Sequence, residues 1–523
     1  MNESIQLRLS PEAAADPLTI QRELSRKLGQ SVAEDRFIVL HRSIDARRKP
    51  IRVNLTLAVY DDRELAPPRI HPVVYQNCAA APPVIIVGAG PAGLFAALRL
   101  LETGLKPIVV ERGKPVQERR RDVAALNRRG ILNEASNYAF GEGGAGTFSD
   151  GKLYTRSKKR GDYHRILNQF CQHGADPSIL SETHPHIGSN RLPGIIQAIR
   201  ETLVSHGGEL HFESKVTGLC RSGDHISGVI LENGVSLTGK AVILATGHSA
   251  RDVYAMLAGQ GLRLEAKAFA MGVRVEHPQA LIDRIQYHGE PRGPFLPAAA
   301  YVLTHQAEGR GVYSFCMCPG GVIVPASTEP DGLVVNGMSF SRRNTAFANA
   351  GIVVEIRLED IPDLERHGPL AGLVFQRHLE QLAFQHSTGT MRAPAQRLTD
   401  FVEGKPSASL PACSYPPGVD PSPLSDWLPP FMVHRLQAAF SAFNQKMKGF
   451  LTSEAVVVGV ESRTSSPVRI PRNPETLEHV DVNGLFPCGE GAGYAGGIVS
   501  CAMDGQRVAD AVCKMNGHEK HAC

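Results

Sequence analysis

The sequence predicts an α/β chain: a Rossmann-type dinucleotide-binding domain, an α+β substrate or cap domain inserted in it, and a small α+β domain at the amino terminus. Three observations carry this. A buried apolar run, Val84 to Val87, passes through a glycine turn into an apolar helix and a second buried run, Ile108 to Val110. The same grammar of strand, glycine loop and helix returns from Leu485 onward. The stretch between about 263 and 450 has a different texture of many short strand-like runs and several helical stretches, as expected of a separate folding unit.

The amino-terminal part, 1–76, alternates apolar and polar residues in short stretches around a helical segment near Ile20 to Leu28. Prolines 67, 68 and 72, then 82 and 83, mark a linker before the first buried strand. Residues 77–262 read as the first part of the dinucleotide-binding domain, 263–450 as the insertion and 451–523 as the returning part. In the first part, Glu209 to Leu219 and Ile226 to Leu237 read as an antiparallel pair turning at Ser222, Gly223 and Asp224, followed by a buried strand, Ala241 to Ala245. Helices are expected from about Pro91 to Glu102, over Leu370 to His386 and Pro429 to Lys448, and from Ile498 to about Met515.

A net charge of +4 over 523 residues argues against a surface built mainly for nucleic acid. No basic segment followed by an apolar stretch opens the chain, and nearly uncharged runs such as Cys78 to Leu98 carry Gly and Pro at turn spacing. A cytosolic protein with no membrane span is therefore expected. The 10 cysteines show neither paired zinc spacing nor the density of a disulfide framework, and the 20 histidines form no compact ligand cluster, so no metal site is expected.

The sharpest motif is Gly88-Ala89-Gly90-Pro91-Ala92-Gly93, set between a buried strand and an apolar helix. Gly88 permits the turn, Gly90 lets backbone amides approach a diphosphate, and Gly93 lets the helix pack closely on the strand. Glu111 ends the second strand, 18 residues after Gly93, where a carboxylate accepts hydrogen bonds from ribose hydroxyls. Arg112 follows it and is placed with the cofactor phosphates; the rest of the basic stretch to Arg129 reads as a solvated helix face. The fingerprint serves NAD and FAD alike, so the choice rests on other segments.

One such segment is Phe140 to Lys152, whose glycines suit a backbone pressed against a planar ring or phosphate. Gly144, Gly146, Thr147 and Lys152 are the candidate contacts there. The other is Gly484 to Gly491 with Gly493 to Ile498, which resembles the second flavin motif of the glutathione-reductase-like FAD fold. That resemblance implies that Gly489 and Glu490 lie at the ribityl or phosphate region and that Gly497 and Ile498 present helix-end amides to the flavin. It also implies that Ala245-Thr246-Gly247 is the fold's middle motif and that Val216 meets the adenine.

Taken together, GEGGAGTFSDGKL, the run Tyr313 to Gly321, the run Glu461 to Arg469 and CGEGAGYAGGIVSCAMDG resemble the bacterial family of uncharacterised FAD-dependent, or NAD(FAD)-utilising, dehydrogenases. The resemblance spans about residues 36 to 510 and implies bound FAD, a middle domain and a small amino-terminal domain. It implies no particular substrate.

Cys316 and Cys318 form a C-x-C pair whose thiols, beside a flavin, exchange electrons with it or act as nucleophile and proton donor; buried thiols also serve simply as small apolar residues. The expected activity is an FAD-dependent oxidoreductase acting on a small organic molecule. Because no second glycine fingerprint is visible, NAD(P)H is expected only as a transiently docking donor. Two alternatives stand: a flavin-dependent carbon–carbon double-bond reductase or monooxygenase, and an RNA- or protein-associated flavoprotein with FAD as a structural ligand.

Overall fold

The computed structural model describes residues 3–60, 66–155, 161–289 and 291–517. At the amino terminus β1 (Glu3–Leu9), α1 (Pro17–Leu28), β2 (Phe37–Asp45) and β3 (Arg52–Val59) form an antiparallel sheet in the order β1-β3-β2. The helix lays Ile20 and Leu24 on Ile5, Leu7 and Leu55 to close a small core. This unit is fastened through β2: the Arg42 amide donates to the Ser181 carbonyl at 2.8 Å, and the Thr183 amide to the Arg42 carbonyl at 3.0 Å.

The chain continues through β4 (Pro83–Val87), α2 (Pro91–Thr103), β5 (Lys106–Val110), α3 (Val116–Arg129), α4 (Tyr163–Gln172), α5 (Leu192–Ser205) and β6 (Glu209–His211). Next come β7 (Val216–Ser222), β8 (His225–Leu231), β9 (Ser236–Thr238), β10 (Val242–Leu244) and α6 (Arg251–Gly259). The second domain opens with β11 (Glu265–Ala266), β12 (Phe269–Pro278), α7 (Gln279–Gln286), β13 (Thr304–Ala307), β14 (Arg310–Cys318), β15 (Gly321–Pro325), β16 (Val335–Ser339) and β17 (Phe347–Ile356). It goes on with α8 (Leu364–His367), α9 (Ala371–Gln385), β18 (Ala393–Arg397), α10 (Leu398–Glu403), β19 (Val419–Pro421), α11 (Pro430–Lys446) and β20 (Val456–Glu461). Then β21 (Val468–Arg469), β22 (Leu485–Pro487) and α12 (Ile498–Met515) bring the chain back.

The first large sheet is parallel throughout, in the order β22-β10-β4-β5-β6. Its inner strands β10, β4 and β5 are short runs rich in Val, Ile and Leu because helices cover one face and the small β7-β8-β9 sheet contributes to cover on the other. The second domain is built on a seven-stranded sheet, β13-β14-β17-β12-β20-β18-β19. Its long central pair, β12 and β17, runs in register from Phe269 against Ile356 to Pro278 against Phe347. Among the described residues no helix is long and apolar enough to cross a membrane.

Two expectations need correction. The stretch Glu209 to Leu219 is not one arm of a hairpin: Glu209–His211 joins the parallel sheet beside β5, and only from Val216 does the chain pair antiparallel with β8. The division at 450 also falls too early, since Val456–Glu461 pairs with both β12 and β18 inside the seven-stranded sheet. A fully buried apolar strand reads alike in either sheet, so its pattern does not say which sheet claims it.

The two domains are joined by a buried ion cluster. Arg251, opening α6, donates to Glu380 of α9 at 2.9 Å and to Glu329 at 3.1 Å. Arg463, just beyond β20, donates to the same Glu380 at 2.9 and 3.1 Å and to the Thr328 hydroxyl at 2.7 Å. Burial pushes the Glu380 carboxyl up, but the two guanidinium groups outweigh it and hold it at about 2. Removing this one carboxylate leaves two buried cations facing each other, so Glu380→Ala is expected to cost about 3–5 kcal/mol of stability. Glu380→Gln, which keeps an acceptor, should cost less. Urea denaturation followed by fluorescence measures both, and an unchanged midpoint for the alanine variant would show that the cluster does not hold the domains together.

Candidate functional site

The site begins with how closely α2 and α12 approach. A Cβ on Gly505 of α12 would lie 2.1 Å from the Ala92 carbonyl oxygen of α2, and one on Gly93 would lie 2.0 Å from the Gly88 oxygen. Only glycine admits either contact, and the turn, the strand end and both helix starts are thereby drawn together. The helix N-caps are Gly90 and Gly497, and neither helix has a side chain capping its first turn. Their amino-terminal amides and the positive ends of their dipoles are left for a ligand.

Most residues that the sequence assigns to the cofactor line a single cavity of about 420 Å³. Gly88, Gly90, Pro91 and Ala92 form one wall, with Glu111 and Arg112 beyond β5. Gly144, Gly146 and Lys152 come from the glycine-rich loop, Val216 from β7, Ala245, Thr246 and Gly247 from the end of β10, and Glu490, Gly497 and Ile498 from the last turn. Gly93, Thr147, Gly489 and Cys318 stand outside the wall. Gly93 serves the helix–strand contact, and Gly489 packs on the Ala92 side chain while its amide donates to Asp504 at 2.8 Å. The Thr147 hydroxyl donates to the Glu142 carbonyl at 3.0 Å and braces the loop from behind.

The Glu111 carboxylate is more committed than the motif implies. Its Oε1 accepts from the Gly113 and Gly141 amides, each at 3.0 Å, and its Oε2 from the Ala89 amide at 2.9 Å. It staples the glycine-rich loop to the first turn, and Oε2 keeps one acceptor site for a hydroxyl. Arg112 pairs with Asp252 at 2.9 Å and lies 4.3 Å over the Phe140 ring.

The basic helix is not wholly a solvated face. Arg120, Arg121, Arg128 and Arg129 are exposed, but Arg119 is fully buried and donates to the carbonyls of Asn137, Tyr138, Gly141 and Glu142. The extra glycines of the loop answer partly to this guanidinium: a Cβ on Gly141 would lie 2.4 Å from Arg119 Cδ. The far end of the loop grips the second domain, where Asp150 takes Arg343 in a two-point pair at 2.5 and 3.3 Å and Lys152 donates to the Met317 carbonyl.

The second domain adds wall residues, of which Phe315 and Cys316 belong to the run Tyr313 to Gly321 and Arg463 to the run Glu461 to Arg469, while Asn336 lies in no motif. His248, also in the wall, follows Gly247. Burial, helped by the neighbouring Arg463 and Arg251, lowers the His248 pKa to about 4 and keeps the ring neutral. Its Nδ1 lies 3.7 Å from Glu490 Oε2, and burial raises that carboxyl to about 7 against the pull of Lys267. An alcove of about 50 Å³ opens beside them, with Tyr138, Phe148, Val324 and Ala326 as apolar lining. His248 could have been found from its place directly after the β10 motif and Phe315 from its place in the run Tyr313 to Gly321; Asn336 could not.

The cavity fits FAD in its own terms. A Cβ on Gly247 or Gly497 would meet nothing within 4 Å and one on Gly90 only Gly144 Cα at 3.8 Å, so backbone amides lie open along the wall for a dinucleotide.

Comparisons with known proteins agree with this reading of the residues. Residues 82–241 match the family described as FAD binding domain, residues 268–464 match "FAD-dependent protein, C-terminal domain-like", and residues 1–60 match a domain of unknown function. The second of these matches also keeps Val456–Glu461 within the second domain. A protein of Clostridium beijerinckii, described as uncharacterised, is 41% identical over 514 residues, covering 94% of this chain and 95% of that one. Among solved structures, a geranylgeranyl bacteriochlorophyll reductase-like protein from Thermoplasma acidophilum is 13% identical, with 84% of this chain and 80% of that chain covered and a TM-score of 0.37. A flavin-dependent brominase is 14% identical, with 83% and 79% covered and a TM-score of 0.34. Identity along almost the whole length, together with FAD matches on both large domains, shows that the chain belongs with the Clostridium beijerinckii protein to the family of FAD-dependent proteins and is a flavoenzyme.

Proposed function

We propose that this flavoenzyme is an oxidoreductase that exchanges a hydride between FAD and a small organic substrate held between the FAD-binding and second domains. The observation that carries the proposal is the composition of the cavity wall: it runs without a break from the diphosphate turn at Gly88 and Gly90 to Phe315, Cys316, Asn336 and Arg463 of the second domain. Bound FAD supplies two-electron chemistry there. In the glutathione-reductase-like arrangement, the start of α2 holds the diphosphate and the start of α12 lies by the ring system. The alcove lined by Tyr138, Phe148, Val324 and Ala326 is the substrate's apolar berth, with neutral His248 and Asn336 at its mouth to orient a polar group. The second domain excludes water from this end, which strengthens each polar contact made inside. A nicotinamide donor, where one is used, docks transiently at the open side.

Gly90 offers a clean test because its backbone is unstrained and a Cβ there meets little of the protein. Gly90→Ala should fold as the parent does and lose FAD affinity by about tenfold or more, since the methyl occupies the amide approach. Flavin absorbance relative to protein absorbance and a fluorescence titration with FAD read this out; full flavin occupancy in the variant sinks the cofactor placement.

Glu490 adds a pH dependence. Its carboxyl holds a proton up to about 7, above the usual value for a free glutamate of about 4.3, so the charged form is disfavoured in the folded cavity and the burial penalty grows as pH rises between those values. A neutral carboxyl accommodates an anionic diphosphate and a carboxylate repels it. FAD affinity should therefore weaken several-fold, up to about tenfold, as pH rises from about 6 to 8, and Glu490→Gln should flatten the profile. Identical profiles for the two proteins would remove Glu490 from the titration.

A further inference from the structure

We propose that Cys316 and Cys318 form a redox-active dithiol that exchanges two electrons with FAD in the cavity, a step that rests on the cofactor placement above. In the oxidising direction two S–H bonds break and one S–S bond forms, and the two electrons and two protons pass to the oxidised flavin, leaving it fully reduced. The reverse returns two thiols. The couple balances within the loaded protein, and it stores a second electron pair beside the cofactor.

The geometry argues for it at three points. Cys316 lines the cavity while Cys318 lies fully buried directly behind, with its thiol 3.3 Å from the Cys316 carbonyl oxygen. The pair sits where the register between β14 and β17 shifts, between Phe315 and Cys318, and Cys316 itself has φ 45°, a conformation a non-glycine residue holds only when its surroundings impose it. Those surroundings are two cations on successive carbonyls: Arg274 donates to the Cys316 oxygen at 3.0 Å, and Lys152, from the glycine-rich loop, to that of Met317.

The same groups tune the sulfurs. The neighbouring Cys318 side chain, with Lys152 and Arg274, holds the Cys316 thiol well below the usual range despite its burial, whereas Cys318 is held well above it by Cys316 and by burial. One sulfur is thereby the nucleophile and the other keeps the proton. Cys78, Cys488 and Cys501 behave differently, for burial pushes each of those thiols up.

The test is an anaerobic reductive titration of the air-oxidised, FAD-loaded protein. The parent should take up about four electrons per FAD, two for each couple, and Cys316→Ser and Cys318→Ser about two. In parallel, thiol counting under denaturing conditions should find two fewer free thiols in the oxidised parent than in the reduced one, and mass spectrometry of its peptides should place the bridge between 316 and 318. This last reading needs no variant to fold. A yellow parent that takes up only two electrons and loses no thiols overturns the dithiol and leaves the oxidoreductase reading intact. A protein that binds no FAD overturns both.

Discussion

The close approach of α12 to α2 is the constraint on which the site depends. Only some helix starts are closed by a side chain at the capping position: Asp16 accepts the Leu18 and Thr19 amides at α1 and Asp162 accepts the Arg165 amide at α4, while α3, α5–α7 and α9–α11 have no such cap and start from residues other than glycine. At α2 and α12 the capping position is glycine and no side chain takes that role. Leaving two helix starts uncapped is unfavourable in an empty protein, and it becomes favourable when one anionic, hydrogen-bonding ligand satisfies both. Gly505 sets the approach of α12 to α2, and Gly93 the approach of α2 to the Gly88 turn, so that a single dinucleotide can do so.

The second domain completes the cavity through charges as well as through a shared apolar cluster, in which Val116, Leu126 and Phe148 pack with Val324, Ala326 and Val334. The Asp150–Arg343 pair ties it to the glycine-rich loop and the Arg251–Glu380–Arg463 cluster ties it to α6, so the wall is fixed on two sides. Each pair is at least partly withdrawn from water, and separating the partners strands a poorly solvated charge. Such fastening favours one closed arrangement, with Arg463 serving at once as interdomain tie and cavity wall.

How much of this was legible in the sequence follows from how local each feature is. The strand–turn–helix–strand unit from Val84 to Val110 and the last helix were readable because strand, glycine spacing and apolar period are contiguous. The boundary near 450 and the role of Glu209–His211 were not, because a buried strand carries no mark of its partner. Arg119 shows a signal that was present and overridden: Val116, Arg119, Val123 and Leu126 keep core spacing along α3, so the period placed the arginine inward while its charge suggested the surface. The ion clusters join residues dozens to hundreds of positions apart, and no single-sequence pattern reports such pairings.

Charge placement around Arg274 makes the second-domain end of the cavity more than a binding surface. Arg274 and Glu461 are both fully buried, 3.3 Å apart, and the guanidinium also reaches the Cys316 carbonyl. One buried cation cannot stabilise a carboxylate and a thiolate equally. Burial raises the Glu461 carboxyl to about 7, and the nearby Cys316 sulfur adds to that rise even as Arg274 opposes it. Burial thus favours a proton on Glu461, as it does on Glu490, while the cations and Cys318 favour negative charge on Cys316. These opposite shifts are products of desolvation at the carboxyls and of the cations that the fold brings to the sulfur. They place the most polarisable anion of the cavity where electron transfer can use it.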